Sequence, residues 1–158
     1  MTVRSYLLTL NLIYSSLVFS ILIFMVVSYW LVSSGEFVGD RTLLDLLMIV
    51  AIGLILMGIT AGYFVFRFII KKIHDTANLK TKLQEYQKAV LVRSACLELP
   101  ALFAIVSAIV TGSTTFLYAP AALLFIFFLL RPSTQNIVED LGLTNEKSLF
   151  EDINSPIT

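Results

Sequence analysis

Four long apolar stretches dominate this sequence and limit the folds that it can adopt. They cover residues 6–32, 43–70, 89–112 and 115–130. A hydrocarbon core about 30 Å thick needs roughly 20 helical residues, so the first three stretches are long enough to span a membrane and the fourth is of marginal length. We therefore predict an all-α polytopic membrane protein with four transmembrane helices.

The composition agrees with a lipid environment. Of the 158 residues, 58% are hydrophobic and 14% are charged, and the mean hydropathy is +0.89. Soluble domains average about 45–50% apolar and about 25% charged residues, and a soluble fold of this size could not bury so much apolar surface. The first stretch is far longer than the roughly 7–15-residue apolar region of a signal peptide, so we expect it to remain as a membrane anchor.

The charge balance and the residue inventory argue against several functional classes. Eleven basic and eleven acidic residues leave no basic field for nucleic acid. The single cysteine and single histidine, Cys96 and His74, do not support a metal site. No nucleotide-binding loop or catalytic triad pattern is present. We expect a protein that is not an enzyme and has no cofactor or metal, with the lipid bilayer, other membrane subunits or copies of itself as partners.

Basic residues near the helix ends predict the orientation, because they favour the cytoplasmic side of a membrane. In a four-span topology, ten of the eleven basic residues fall on one side and only Arg41 falls on the other. The ten are Arg4, Arg67, Lys71, Lys72, Lys80, Lys82, Lys88, Arg93, Arg131 and Lys147. We therefore predict an inner-membrane (plasma-membrane) protein with both termini and the middle loop in the cytoplasm.

Two helix starts carry local signals. The sequence TLLD at residues 42–45 is a capping box, whose threonine is predicted to cap the second helix. Leading into the third stretch, residues recur at helical spacing: Leu79, Leu83, Tyr86 and Val90. We expect a break at residues 75–78, followed by an amphipathic turn or two that continue into the third span.

The C-terminal part is predicted to leave the membrane. Pro132 disfavours helix at the residue before it, so the fourth helix should end there. Ile137 and Leu141 then share one side of a short segment, which predicts an amphipathic helix along the membrane surface. The chain thus divides into a transmembrane domain, residues 1–131, and a cytoplasmic interfacial helix and tail, residues 132–158.

Three of the apolar stretches carry small residues three or four positions apart, a spacing that allows helix backbones to approach closely in lipid. They are Gly58 and Gly62 in the second, Ala101, Ala104 and Ala108 in the third, and Ser16 and Ser20 in the first. Such faces serve either packing within one bundle or an interface between copies, and the sequence leaves both alternatives open.

Glu98 places a carboxyl group inside the third apolar stretch. Counted from Ala89 at about 1.5 Å per residue, it lies about 14 Å into the hydrocarbon core. An unpaired charge there costs several kcal/mol, so Glu98 should be either protonated or paired. Arg93 is the nearest cation in sequence, but it lies about 140° away around the helix axis, so we expect no direct pairing between them.

Pro100 adds a second polar feature beside this carboxyl group. Its ring removes one helical amide and leaves the backbone carbonyl of Cys96 without its usual donor. We predict that this carbonyl and Glu98 bind a proton, a small cation or a water, with Thr60 and Tyr63 on the second helix as candidate partners. The alternative is a protonated Glu98 that only hydrogen-bonds a neighbouring helix, with Pro100 as a kink.

The run SACLELPALFAIVSAIV, about 17 residues within 93–110, resembles the ion-binding helix of the c subunit of rotary ATP synthases. In that helix a membrane-embedded glutamate is the first residue of a similar E-x-x-A-L-F-A run. The resemblance implies that Glu98 is a proton- or sodium-binding carboxylate. It implies nothing about rotation, because the second helix lacks a dense glycine repeat and the c-subunit hairpin has no counterpart for the first and fourth helices. The whole chain resembles small four-helix bacterial inner-membrane proteins.

Two functions fit these features. The first is a transport component, or the membrane subunit of a larger complex, with a proton- or cation-binding Glu98. The second is a structural or assembly subunit in which Glu98 only fixes helix packing. Transport requires water to reach the carboxyl group, whereas a packing role requires an interface without water.

Overall fold

The architecture is known from a computed structural model that describes residues 3–35, 39–73, 79–132, 137, 140 and 141. Within those residues every regular element is helical: α1 (Val3–Ser33), α2 (Leu44–Ile73), α3 (Leu79–Thr111) and α4 (Tyr118–Leu129). Short 3₁₀ turns at Arg41–Leu43 and Thr114–Leu117 lead into α2 and α4. The predicted all-α class is confirmed.

Three of the helices are long and apolar enough to cross a membrane. They contain 31, 30 and 33 residues, which gives lengths of about 45 to 50 Å. The fourth, α4, has 12 residues and reaches about 25 Å with the 3₁₀ turn before it. Helices α1 to α3 therefore exceed a hydrocarbon core of about 30 Å, whereas α4 falls short of it.

Helices α1 and α3 run parallel. The Tyr6 hydroxyl donates to the Leu83 carbonyl at 2.8 Å, and the Ser28 hydroxyl donates to the Ile105 carbonyl at 3.3 Å. The two bonds have the same sequence separation of 77 residues although they lie far apart along α1. A constant separation arises only between parallel helices in fixed register.

Helix α2 runs antiparallel to both of these helices. Gly58 lies against Cys96 and Pro100, whereas Gly62, one turn later in α2, lies against Arg93, one turn earlier in α3. The two glycines therefore meet α3 in reverse order. At Gly58 the backbones of α2 and α3 are close enough that a Cβ atom there would lie 2.4 Å from the Cys96 carbonyl oxygen.

Helix α4 returns antiparallel to α3 through a tight turn. Gly112 follows α3 with φ of +62°, and the amide of Ser113 donates to the Ala108 carbonyl at 3.1 Å. This left-handed glycine ends the helix. At the far end of α4, Arg93 donates to the Leu130 carbonyl at 3.1 Å. The four helices therefore alternate in direction.

The interior of the bundle is filled by small and large residues together. Ala101, Ala104 and Ala108 are fully buried in α3. Large buried side chains include Ile21 of α1 and Phe127 of α4. The outer surface instead exposes large apolar side chains on all four helices, as expected for a surface that meets lipid rather than water.

The start of α2 differs from the prediction. Asp40 caps the first 3₁₀ turn, accepting hydrogen bonds from the Thr42 amide at 2.9 Å and the Thr42 hydroxyl at 2.6 Å. The prediction that Thr42 is the cap is wrong, because its hydroxyl donates to Asp40. The hydrogen bond from the Thr42 hydroxyl, and to a lesser extent the one from the Thr42 amide, lower the pKa of the Asp40 carboxyl group. The cap therefore stabilises the fold above the ordinary carboxyl pKa and is lost as pH falls through the lowered value.

The predicted entry into α3 is confirmed. The helix begins at Leu79 and continues without a break, with Leu83, Tyr86 and Val90 buried along one side. The predicted break at residues 75–78 lies outside the described residues, as does His74.

The C-terminal segment is described only in part. The Leu141 amide donates to the Ile137 carbonyl at 3.1 Å. Both side chains are buried in the core of the protein, whereas a helix along the membrane surface was predicted to turn them toward lipid. The rest of the predicted helix lies outside the described residues.

Candidate functional site

Glu98 has a hydrogen-bonding partner on α1. The Ser20 hydroxyl lies 3.1 Å from Oε1 of Glu98 and 2.9 Å from the Leu17 carbonyl of its own helix. Both side chains are partly buried. The separation of Ser20 and Glu98 is 78 residues, so the pair follows the same parallel register as the other bonds between α1 and α3.

The Ser20 hydroxyl can hydrogen-bond Glu98 in either protonation state of the carboxyl group. A serine hydroxyl has one proton to donate and can also accept. When Glu98 is ionised, Ser20 donates to the carboxylate. When Glu98 is protonated, the carboxyl group donates to the Ser20 oxygen, and Ser20 turns its own proton to the Leu17 carbonyl. Neither state leaves the serine hydroxyl unpaired.

Glu98 lies at the edge of the buried face of α3. On one flank, Ser94 and Ala101 are buried. On the other flank, Ala95 is exposed and Leu102 is half-buried. The carboxyl group is therefore neither enclosed in the core nor directed fully away from the bundle, and a ligand or another helix can approach it from outside α3.

The carbonyl freed by Pro100 faces a different helix. A Cβ atom built at Gly58 would lie 2.4 Å from the Cys96 carbonyl oxygen and 3.0 Å from Cγ of Pro100. This carbonyl is therefore covered by the backbone of α2, while Glu98 meets Ser20 of α1. The structure does not bring the two predicted ligand groups to one contact.

The two candidate partners on α2 also lie elsewhere. The Thr60 hydroxyl is exposed and donates to the Leu56 and Met57 carbonyls of its own helix, at 2.7 and 3.0 Å. The Tyr63 side chain is 53% exposed, and the guanidinium of Arg67 lies 5.2 Å from its ring centre. Both residues belong to the outer surface of α2.

Arg93 contacts residues near the end of α4 and on α2 instead of Glu98. It donates to the Leu130 carbonyl, and its guanidinium lies 4.5 Å from the centre of the Phe66 ring. A cavity of about 200 Å³ adjoins it, with Tyr86 and Asp140 among its lining residues. The Tyr86 hydroxyl donates to Asp140 at 3.3 Å. Arg93 is thus held between α2 and α4, on another side of α3 from Glu98.

Sequence reasoning missed Ser20 as the partner of Glu98. The available signal was the Ser16 and Ser20 pair, which we interpreted only as a small-residue packing face. Ser16 is exposed and donates to the Ile13 carbonyl, so a single member of the pair faces α3. Among the described residues, no group of three or more histidine, cysteine or acidic side chains is placed to hold a metal ion.

No protein-family model, no curated protein and no solved structure matches this chain.

Proposed function

We propose that this protein is a small inner-membrane component that binds a proton, or a small cation in its place, at Glu98. It acts as part of a transport system or as the membrane subunit of a larger complex, and not as an enzyme. One observation carries the proposal: the Ser20 hydroxyl is placed to hydrogen-bond Glu98 whether the carboxyl group is ionised or protonated. The local resemblance of α3 to the ion-binding helix of ATP synthase c subunits supports the same chemistry.

The depth of the pair favours a site within the hydrocarbon. Ser20 and Glu98 each lie thirteen residues before the ends of their helices, at Ser33 and Thr111. At about 1.5 Å per residue this is about 20 Å from that end of the bundle, inside a core of about 30 Å. An unpaired charge at this depth is costly, so either a proton or a small cation would neutralise the carboxylate there.

In the proposed topology all four helices cross the membrane and the termini are cytoplasmic. Helix α4 is short for a span, which a locally thinned bilayer would accommodate. The alternating helix directions place Arg67, Arg93 and Arg131 toward the end of the bundle that holds the N-terminus. Arg41 lies at the other end. Basic residues concentrate on the cytoplasmic side of membrane proteins, which supports this orientation.

Cysteine labelling tests this topology. In a Cys96→Ser background, Ser34→Cys should react with an impermeant maleimide added to intact cells, and Gln84→Cys should react only after permeabilisation. Both positions are exposed, so access across the membrane is the variable. Labelling of Gln84→Cys alone in intact cells would reverse the proposed orientation.

Infrared titration of the reconstituted protein tests the proton site directly. The carboxyl C=O band of Glu98 should appear and disappear reversibly with pH and should be absent from Glu98→Gln. Ser20→Ala should shift the frequency of this band, because it removes the hydrogen-bonding partner of the carboxyl group. Glu85→Gln is the matched control: Glu85 pairs with Lys88 on the surface of the same helix, and its loss should leave the Glu98 band unchanged.

A structural role is the second candidate, because the Ser20–Glu98 bond joins two helices. Interhelical hydrogen bonds in membranes contribute about 0.6 kcal/mol on average. In this case Glu98 would stay protonated across the whole pH range, Glu98→Gln would be tolerated, and Glu98→Leu would mainly weaken the bundle. A Glu98 band that never titrates would reject the proton site and favour this role.

A further inference from the structure

A groove between α1 and α4 lies apart from the Glu98 pair. It has a volume of about 340 Å³. Its apolar wall is formed by Val18, Phe19, Leu22, Leu124 and Phe128. Val18 and Leu22 lie two residues to either side of Ser20, which places them about 200° from it around the helix axis. The groove therefore opens on the side of α1 opposite the carboxyl group.

The groove changes from apolar to polar along its length. Tyr14 and Ser15 line it on α1, and Arg131 lines it just beyond the end of α4. Because α1 and α4 run in opposite directions, Tyr14 and Ser15 near the start of α1 lie at the same end of the groove as Arg131 after the end of α4. The polar residues of both helices are thus gathered at one end, and Leu22 and Leu124 lie at the other.

The polar end lies where the hydrocarbon would meet the headgroups. Helix α4 ends at Leu129, and the Tyr14 hydroxyl donates to the Phe127 carbonyl nearby. Helix α1 continues for eleven residues beyond Tyr14 to Val3, or about 16 Å. A molecule in the groove would therefore have its apolar part beside α4 and its polar part beside the section of α1 that extends past the end of α4.

Arg131 supplies a positive charge at that end. Two other arginines at this end of the bundle have aromatic neighbours: Arg93 lies over Phe66 and Arg67 lies over Tyr63. Arg93 also donates to Leu130. The Arg131 side chain is exposed, and among the described residues no ion pair involves it. Its guanidinium can therefore bind an anionic headgroup through paired N–H donors.

From this juxtaposition we propose that the groove binds one anionic phospholipid, with an acyl chain along Val18, Leu22 and Phe128 and the phosphate at Arg131. An apolar ligand alone would not use the arginine. A free phosphate would not use the apolar wall. An anionic lipid matches both ends of the groove.

Lipid titration of the full-length, delipidated protein in mild detergent tests the site by native mass spectrometry. Phosphatidylglycerol should bind about tenfold more tightly than phosphatidylcholine with the same acyl chains, because the choline cation of phosphatidylcholine offsets the phosphate charge that Arg131 attracts. Arg131→Gln should abolish this preference. Arg67→Gln is the matched control, because it removes another exposed arginine of the same end and should keep the preference.

The apolar wall is tested by Val18→Trp, which fills the groove and should weaken binding of both lipids. If Val18→Trp unfolds at a different temperature from the wild type, its weaker lipid binding could reflect lost stability. The comparison of Arg131→Gln with Arg67→Gln then tests the proposal by itself. A preference that survives Arg131→Gln, or that Arg67→Gln reduces equally, would overturn the proposal. Competition by glycerol 3-phosphate at lipid concentrations would also overturn it, because the site would then bind a free anion.

Discussion

Replacing Gly58 by leucine will separate α2 from α3. A Cβ atom at Gly58 would lie 2.4 Å from the Cys96 carbonyl oxygen, closer than two such atoms can approach. The obstructing atom belongs to the backbone, so a side-chain rotation cannot relieve the clash. We expect the free energy of unfolding in detergent to fall by about 3 kcal/mol, the upper part of the range for overpacked sites, as measured by thermal or denaturant unfolding.

The matched control is Gly53→Leu on the same helix. A Cβ atom at Gly53 meets nothing within 4 Å, and leucine favours helix more than glycine does. Gly53→Leu should therefore leave stability unchanged or raise it slightly. Equal melting temperatures for the two variants would contradict the described α2–α3 seam.

Replacing Arg93 by leucine will loosen the end of α4. The variant removes the hydrogen bond to the Leu130 carbonyl and the contact with the Phe66 ring. Leucine restores part of the apolar contact but donates nothing to the carbonyl. We expect the free energy of unfolding to fall by about 2 kcal/mol, the contribution of one hydrogen bond from a charged group, because leucine keeps part of the contact with Phe66.

The control for this variant is Arg67→Leu. The Arg67 side chain is exposed, and its described aromatic neighbour, Tyr63, is exposed as well, so its removal should change stability by less than about 1 kcal/mol. The readout is unfolding in detergent, followed by protease accessibility of the α4 end. A loss for Arg67→Leu as large as for Arg93→Leu would show that charge alone, and not the Leu130 contact, supports this end.

The sequence predicted the helices because their length and apolar content are local properties. The three long helices and the shorter fourth follow from runs of apolar residues. Gly112 ends α3 with a positive φ, and glycine is the residue that most readily adopts this conformation at the end of a helix.

The rotation of each helix could not be predicted in the same way. Ile21 is fully buried and its neighbour Leu22 is 39% exposed, yet both are apolar. In water, a polar outer face would distinguish the two sides of a helix, but in lipid the outside is as apolar as the core. This is why Thr60 and Tyr63 were predicted as partners of Glu98, whereas the described hydrogen bond comes from Ser20 of α1.

The fixed register of α1 and α3 limits how the bundle can move. The bonds Tyr6–Leu83, Ser20–Glu98 and Ser28–Ile105 share separations of 77 or 78 residues. Sliding α1 by one helical turn, about 5.4 Å, would break all three at once. The two helices therefore resist sliding along each other, and a movement of α1 relative to α3 that keeps this register has to be a twist or a tilt.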